Sequence, residues 1–238
     1  MVPENIIIRT LATLDEFQHC CELQKTVWGD TDRELVPLHI FIVAEKTGGQ
    51  IFGAYDNDRL VGYLLAFAGA HAGQIYLHSH MTGVHPDYQN CGIGRKLKLA
   101  QRAEALGRGI NLIEWTFDPL KLRNAYFNIV RLGAIVRNYL PDVYGKTASH
   151  LDQGLPTDRL LAEWHLDSPR VMGILQGQLF QPPANCHRIF VPVEKQTLAG
   201  QTEIRQQFQA LFAQGLVVTG LALNNEGMSY LLQADVSL

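Results

Sequence analysis

An α/β fold of the mixed α+β type is predicted for this chain of 238 residues by three observations. Short apolar and β-branched runs alternate with stretches of helical spacing from Ile6 to Tyr139. A turn with two glycines, Gln89-Asn90-Cys91-Gly92-Ile93-Gly94-Arg95, joins an apolar strand to an amphipathic helix. The composition, 47% hydrophobic and 18% charged, is that of a globular protein with a real core.

Ile6 to Thr10 reads as the first strand. Thr13-Leu14-Asp15-Glu16 is a capping box that starts a helix ending near Trp28-Gly29. The polar segment Asp30 to Glu34 is a loop, and Pro37 opens a second helix through Lys46, closed by Gly48-Gly49. Gln50–Tyr55 and Leu60–Ala68 are strands joined across Asp56-Asn57-Asp58-Arg59. Gln74 to Val84 is the strand that feeds the glycine turn. Ile93, Leu97, Leu99, Ala100, Ala103 and Leu106 give the following helix an apolar face. Ile110–Phe117 is a strand, Leu120–Leu132 a helix and Ala134–Tyr139 a strand. Beyond Leu155, strands are expected at Arg159–Leu166 and Cys186–Glu194, a helix at Thr202–Gln214, and a hairpin from Leu216–Leu223 and Met228–Gln233.

A net charge of −3 and a pI near 6.3 argue against nucleic acid or an anionic membrane as the main partner. No apolar run is long enough to span a bilayer, and the N-terminus lacks the layout of a signal peptide. The four cysteines, Cys20, Cys21, Cys91 and Cys186, show no Cys-x-x-Cys pair, so reduced thiols and a cytoplasmic location are expected.

A strand that delivers glycines to a helix N-terminus gathers unpaired N–H groups and the positive end of the helix dipole at one point. That chemistry suits a phosphate or pyrophosphate. The wording Val84-x-Pro86-x-x-Gln89-x-x-Gly92-x-Gly94 resembles the acetyl-CoA loop of the GNAT superfamily of N-acyltransferases, and the element order over Ile6 to about Gly145 resembles its core. The resemblance implies a mixed, mostly antiparallel central sheet with helices on both faces, occupying residues 1–150. Residues 151–238 are then a C-terminal α+β extension, for which a homodimer interface is an alternative role. It also implies acetyl-CoA as co-substrate, no metal, and an amine acceptor on a small molecule or peptide. Backbone amides of Gln89, Asn90, Cys91, Gly92, Ile93, Gly94 and Arg95 are implied to hold the pyrophosphate. The backbone of Met81, Thr82, Gly83 and Val84 is implied to pair with the pantetheine arm.

Asn124-Ala125-Tyr126 through Leu132-Gly133 resembles the family's later helix. Aligned on Ala125 and Gly133, the family's asparagine falls on Leu122, and Asn124 nearby is the cofactor-binding candidate. Its general-acid tyrosine falls on Ile129, which cannot protonate a thiolate. Tyr126, three residues earlier, and Tyr144 are the substitutes, with Tyr139 a further one. For any single one of them, a tyrosine with its ring in the core and its hydroxyl at the rim is the favoured reading. His78 and His80 share strand parity with Tyr76 and Thr82 and are the general-base candidates. They read equally as sheet histidines with satisfied hydrogen bonds. The His-x-His pair is weak as a metal site, because no further ligand pattern accompanies it. Glu114 and Asp118 are secondary candidates, and Trp28 is either a wall of the acceptor pocket or a buried aromatic. Thr157-Asp158-Arg159 reads as a loop-orienting run. A CoA-binding sensor or assembly protein that does not catalyse is the alternative, motivated by Ile129.

Overall fold

The computed structural model describes residues 5–29, 35–145, 154–178, 185–194 and 197–234. The chain divides into two compact units, residues 1–113 and 114–238. The fold class is the predicted one: mixed α+β, with mostly antiparallel strand pairs, and further strands toward the C-terminus.

The first unit contains β1 (Ile6–Thr10), α1 (Leu14–Trp28), α2 (Leu38–Lys46), β2 (Gln50–Asp56), β3 (Arg59–His71), β4 (Gln74–Val84) and α3 (Ile93–Gly107). Its strands run in the order β1-β2-β3-β4, each neighbour antiparallel. The start of α1 is set by the expected capping box. Thr13 Oγ1 accepts from the Glu16 amide, and the Glu16 carboxylate accepts from the amides of Ala12 and Thr13. Burial raises the Glu16 carboxyl, but these donors and the Arg9 guanidinium outweigh it and hold it down at about 2. Pro37 stands at the N-cap of α2.

Two apolar layers sandwich this sheet. Phe17 and Cys20 of α1 and Phe41 of α2 pack with Tyr63 and Leu65 on one face. Ile93 and Leu97 of α3 pack with Leu64 and Ala66 on the other. The buried stripe of α3 differs from the expected one: it is Ile93, Leu97, Lys98, Gln101 and Ala105, whereas Ala103 is exposed. An apolar count assigns the core face wrongly when two polar residues occupy it.

In the second unit β5 (Leu112–Phe117) leads across the boundary from the first. It is followed by α4 (Leu122–Ala125), which continues as a π-helical segment Tyr126–Arg131, and then by β6 (Ile135–Leu140) and β7 (Arg159–His165). Next come α5 (Pro169–Leu175), β8 (His187–Pro192), α6 (Leu198–Phe212), β9 (Leu216–Leu223) and β10 (Gly227–Ala234). The strands from Arg159 onward and the β9–β10 hairpin match expectation. α5 does not, although Ser168 before Pro169 is a helix start in plain sight: the Ser168 hydroxyl accepts from the Val171 amide. Phe208 on α6 packs against Tyr139 at 5.4 Å and Tyr230 at 5.1 Å, ring centre to ring centre.

The expected helix Leu120–Leu132 is replaced by the short α4 and the wider π segment. The Leu132 amide donates to the Phe127 carbonyl at 3.0 Å, one residue beyond α-helical spacing. Side chains from elsewhere close its end. Trp164 Nε1 donates to the Leu132 carbonyl at 2.8 Å and Arg170 Nε to the Gly133 carbonyl at 2.9 Å.

Candidate functional site

The turn into α3 is built as an anion cradle. A single 3₁₀ turn, Pro86–Tyr88, follows β4 and is held down by the Tyr88 hydroxyl, which donates to Asp56 at 2.8 Å. Arg59 and the His85 ring meet at 2.9 Å beside it. Asn90 and Gly92 then adopt positive φ, 62° and 78°. The left-handed turn at Gly92 aims the following amides outward along the helix axis. Among the described residues, no acceptor faces the amides of Asn90 through Arg95. The amides of Ile93, Gly94 and Arg95 belong to the helix's first turn, which has no intrahelical acceptors. A Cβ added at Gly92 or Gly94 meets nothing within 4 Å, so the approach is open. Arg95 Nε is buried with no partner among the described residues. Cys91 Sγ lies 3.5 Å from the Gln89 carbonyl, and Gln89 Nε2 donates to Val84 at 3.2 Å, tying the turn to the strand end.

β4 carries a feature with no signature in its own sequence. Ala66 pairs with Ser79 and Leu65 with Met81, so His80 is an extra residue, a β-bulge. Side-chain parity reverses there. Leu77 and Ser79 lie on the α3 face before it, and Thr82 and Val84 lie on that face after it: Ser79 meets Lys98, Val84 packs with the α3 cluster, and Thr82 pairs with Leu64. His78, opposite Phe67, and Met81 lie on the α1–α2 face. The expectation that Thr82 shares a face with His78 and His80 is therefore corrected, because the bulge shifts the period by one. The two histidines do come together, with rings 6.5 Å apart and the Phe67 ring 5.5 Å from His80. Burial lowers both imidazoles below their ordinary value; His80 and Lys98 lower His78 further. Both are therefore neutral at pH 7 and able to accept a proton. Trp28 packs closely on β4: a Cβ at Gly83 would fall 2.7 Å from its ring.

The candidates in the second unit are arranged by themselves. Tyr126 begins the π segment at 39% exposure, while Ile129 is buried at 1%, so three residues along this wider helix lead from surface to core. Asn124 is exposed. The Tyr144 hydroxyl lies 3.1 Å from Thr116 Oγ1 on β5, and Arg159 stacks over its ring at 5.4 Å. Tyr139 is enclosed, its hydroxyl donating to Asp158 at 2.6 Å. Burial and Asp158 push that phenol far up, which unfits it as an acid near neutrality. Asp118 Oδ1 accepts from the Leu120 amide at 2.8 Å, the role of a turn cap. Thr157 and Asp158 do orient a loop: the Tyr144 amide donates to Thr157 Oγ1 at 2.9 Å and the Asp142 amide to Asp158 at 3.0 Å. Thr116, Ser79 and Lys98 were not foreseen, and only a lysine on a helix's apolar stripe could have flagged the last.

Among the described residues no three His, Cys, Asp or Glu side chains converge as a metal site, and the four cysteines are free. No helix is long and apolar enough to cross a membrane.

A mixed sheet with a bulged strand ending in a glycine turn at a helix N-terminus defines the acetyltransferase class of fold. Residues 11–126 of the chain match the acetyltransferase (GNAT) family. Solved structures agree at the level of fold. The ribosomal-protein-S18-alanine N-acetyltransferase of Escherichia coli is 15% identical at a TM-score of 0.55, over 69% of this chain and 96% of that one. A GNAT family acetyltransferase from Elizabethkingia anophelis with acetyl-CoA bound is 14% identical, TM-score 0.51, over 68% and 99%. Arabidopsis thaliana Naa50, in complex with a bisubstrate analogue, is 14% identical, TM-score 0.51, over 66% and 97%. The curated proteins include no match to the sequence.

Proposed function

We propose that the protein transfers an acetyl group from acetyl-CoA to an amine on a small molecule or peptide, by direct attack of the amine on the thioester. The observation that carries this reading is the row of unpartnered amides from Asn90 to Arg95 around an open approach, in a chain that matches this family. Relatives of the same fold were solved with acetyl-CoA or a CoA-peptide analogue, which supports the same ligand here.

The residues fit such a ligand. Amides of Asn90 through Arg95 hold the pyrophosphate, with Arg95 Nε an additional donor, whereas the Gln89 amide donates to the Pro86 carbonyl at 3.2 Å and closes the turn; the strand Met81–Val84 receives the pantetheine arm as an added edge. The ligand supplies the activated acyl group. His78, neutral at pH 7, removes the amine proton directly or through a water, with His80 as its neighbour in that role. Amides beside the His80 bulge meet the negative charge that develops on the acyl oxygen. In the second unit we assign Tyr144, ahead of Tyr126, to protonate the departing sulfur, because its hydroxyl is oriented by Thr116. Asn124 is the cofactor contact proposed there. Residues 1–150 are proposed as the transferase core and 151–238 as its extension. The second reading, a CoA-binding protein without catalysis, rests on Ile129, buried where the family's tyrosine falls.

Titration calorimetry with acetyl-CoA tests the ligand. Gly94→Asp places a carboxylate in open space, so the protein stays folded and the affinity falls on the order of a hundredfold. No heat from the unaltered protein at high micromolar ligand overturns the reading. Tight binding without CoA release on a wide panel of amines favours the second reading. His78→Ala with an unchanged pH–rate profile removes that residue as the base.

A further inference from the structure

Lys98 is a charged residue on the apolar stripe of α3, 3% exposed, and nothing in the proposed chemistry uses it. Its ammonium donates to Ser79 Oγ at 2.7 Å and to Gln101 Oε1 at 3.2 Å, and Ser79 Oγ lies 3.3 Å from the same Gln101 oxygen. Gln101 is in turn fixed to β2, because Gln50 Nε2 donates to its carbonyl at 3.2 Å. Ser79 is the residue immediately before the bulge, the last one whose pairing with β3 precedes the shift at His80. The lysine therefore grips the strand at the point where its register is decided.

Register matters here more than elsewhere in the sheet. A one-residue slip exchanges the two faces of a strand. If the segment before the bulge slid to close it, Leu77 and Ser79 would leave the α3 face and His78 would enter it. An apolar residue at position 79 would pack on α3 without choosing between the two registers. A buried hydroxyl that meets a buried ammonium does choose, because the slipped register breaks the hydrogen bond between them.

We propose that Lys98 is a positioning residue: through Ser79 it pins the β4 bulge to α3, the helix whose N-terminus forms the glycine cradle. α3 then acts as a ruler. Its first turn holds the anion amides, and Lys98, on the next turn, sets where the bulge amides and His80 lie relative to them. For a ligand with a phosphate at one end and an acyl group at the other, this spacing decides whether the acyl end reaches the bulge. The inference rests on the acetyl-CoA reading for its ligand, but not for its geometry.

Lys98→Met keeps the length of the side chain and removes the donors, and Ser79→Ala removes the acceptor without touching the charge. Backbone amide NMR of the full chain, titrated with CoA and separately with acetyl-CoA, reads the two ends of the ruler. In the unaltered protein both ligands shift Gln89–Arg95, and only acetyl-CoA shifts His80 and Met81. In each variant the cradle shifts persist, the acetyl-specific shifts at His80 and Met81 vanish, and acetyl-CoA affinity falls about tenfold while CoA affinity is kept. Acetyl-specific shifts that survive in the folded variants overturn the proposal. If neither ligand moves the cradle of the unaltered protein, the acetyl-CoA reading fails instead. The ruler is then judged in the free proteins by the cross-strand contact of Ala66 with Ser79: its loss in both variants upholds the pin, and its persistence overturns it. Should Lys98→Met fail to fold, Ser79→Ala decides alone.

Discussion

Asp158 in the second unit and Lys98 in the first are both sealed from solvent, at 1% and 3% exposure, yet they keep different company. Asp158 accepts two hydrogen bonds from Arg205, at 2.9 and 2.8 Å, one from the Tyr139 hydroxyl and one from the Asp142 amide. A formal cation and well-aligned donors offset the cost of taking its charge out of water. The Arg205 guanidinium is correspondingly raised by its bond to Asp158. Lys98 gives protons to a hydroxyl and an amide oxygen, and burial drives it down to about 7. An ion-paired buried charge makes a latch between segments far apart in the chain. A buried cation lowered to about 7 sheds its proton as the pH rises through neutrality. The first ties α6 to the loop that presents Tyr144; the second ties α3 to the bulged strand.

The largest expected effect breaks the latch. Arg205→Met leaves Asp158 buried without its cation and destabilises the fold by about 3–5 kcal/mol in urea unfolding. A loss below about 1 kcal/mol would mean that water or relaxation replaces the arginine and that the two networks do not differ as described.

Next in size is the pH dependence assigned to Lys98. Its folded pKa, about 7, lies below the unfolded value of 10.5. Below pH 7 both states hold the proton and the full cost of burial is present. Between about 7 and 10.5 the folded state releases it while the unfolded state keeps it, so stability rises with pH. Up to pH 9 the rise is on the order of 3 kcal/mol. Cys20, Tyr63 and Tyr139 are pushed up by burial and oppose the trend at the alkaline end. The measurement is therefore the difference between the unaltered protein and Lys98→Met at pH 6 to 9. A flat difference sinks the assignment.

The smallest effect belongs to a local device. Thr13→Ala removes one side of the capping box and costs about 1 kcal/mol. Glu16, the other side, is lowered from 4.5 to about 2, so its contribution is present above pH 4.5 and fades as the pH falls toward 2. If Thr13→Ala costs as much as Arg205→Met, the contrast between local caps and tertiary networks is wrong.

Legibility follows the range of each interaction. The Thr13 cap spans three residues, and the cradle lies within one turn of Gly92, so residue types in order suffice to read them. The same holds for the β9–β10 hairpin across 224–226 and for the start of α2 at Pro37. The form of the Leu120–Leu132 segment is not legible in its own residues because its end is closed by Trp164 and Arg170, donors from well down the chain. The parity of His78 and Thr82 differs from simple alternation because a bulge is a property of two strands, and β4 alone does not contain it. Lys98 was overlooked because a lysine in a helix is ordinarily solvated, and only the position of Ser79 gives it a reason to be inside.

The sequence by itself determined most of the element order and the glycine cradle, since backbone preference and helix-end chemistry act between residues a few positions apart. Tertiary structure alone decided which side chains face each other around that cradle. Lys98 meets Ser79 across 19 positions and Arg205 meets Asp158 across 47. Contacts of that length exist only after the sheet has chosen its register, and the register is fixed by the packing of both faces together.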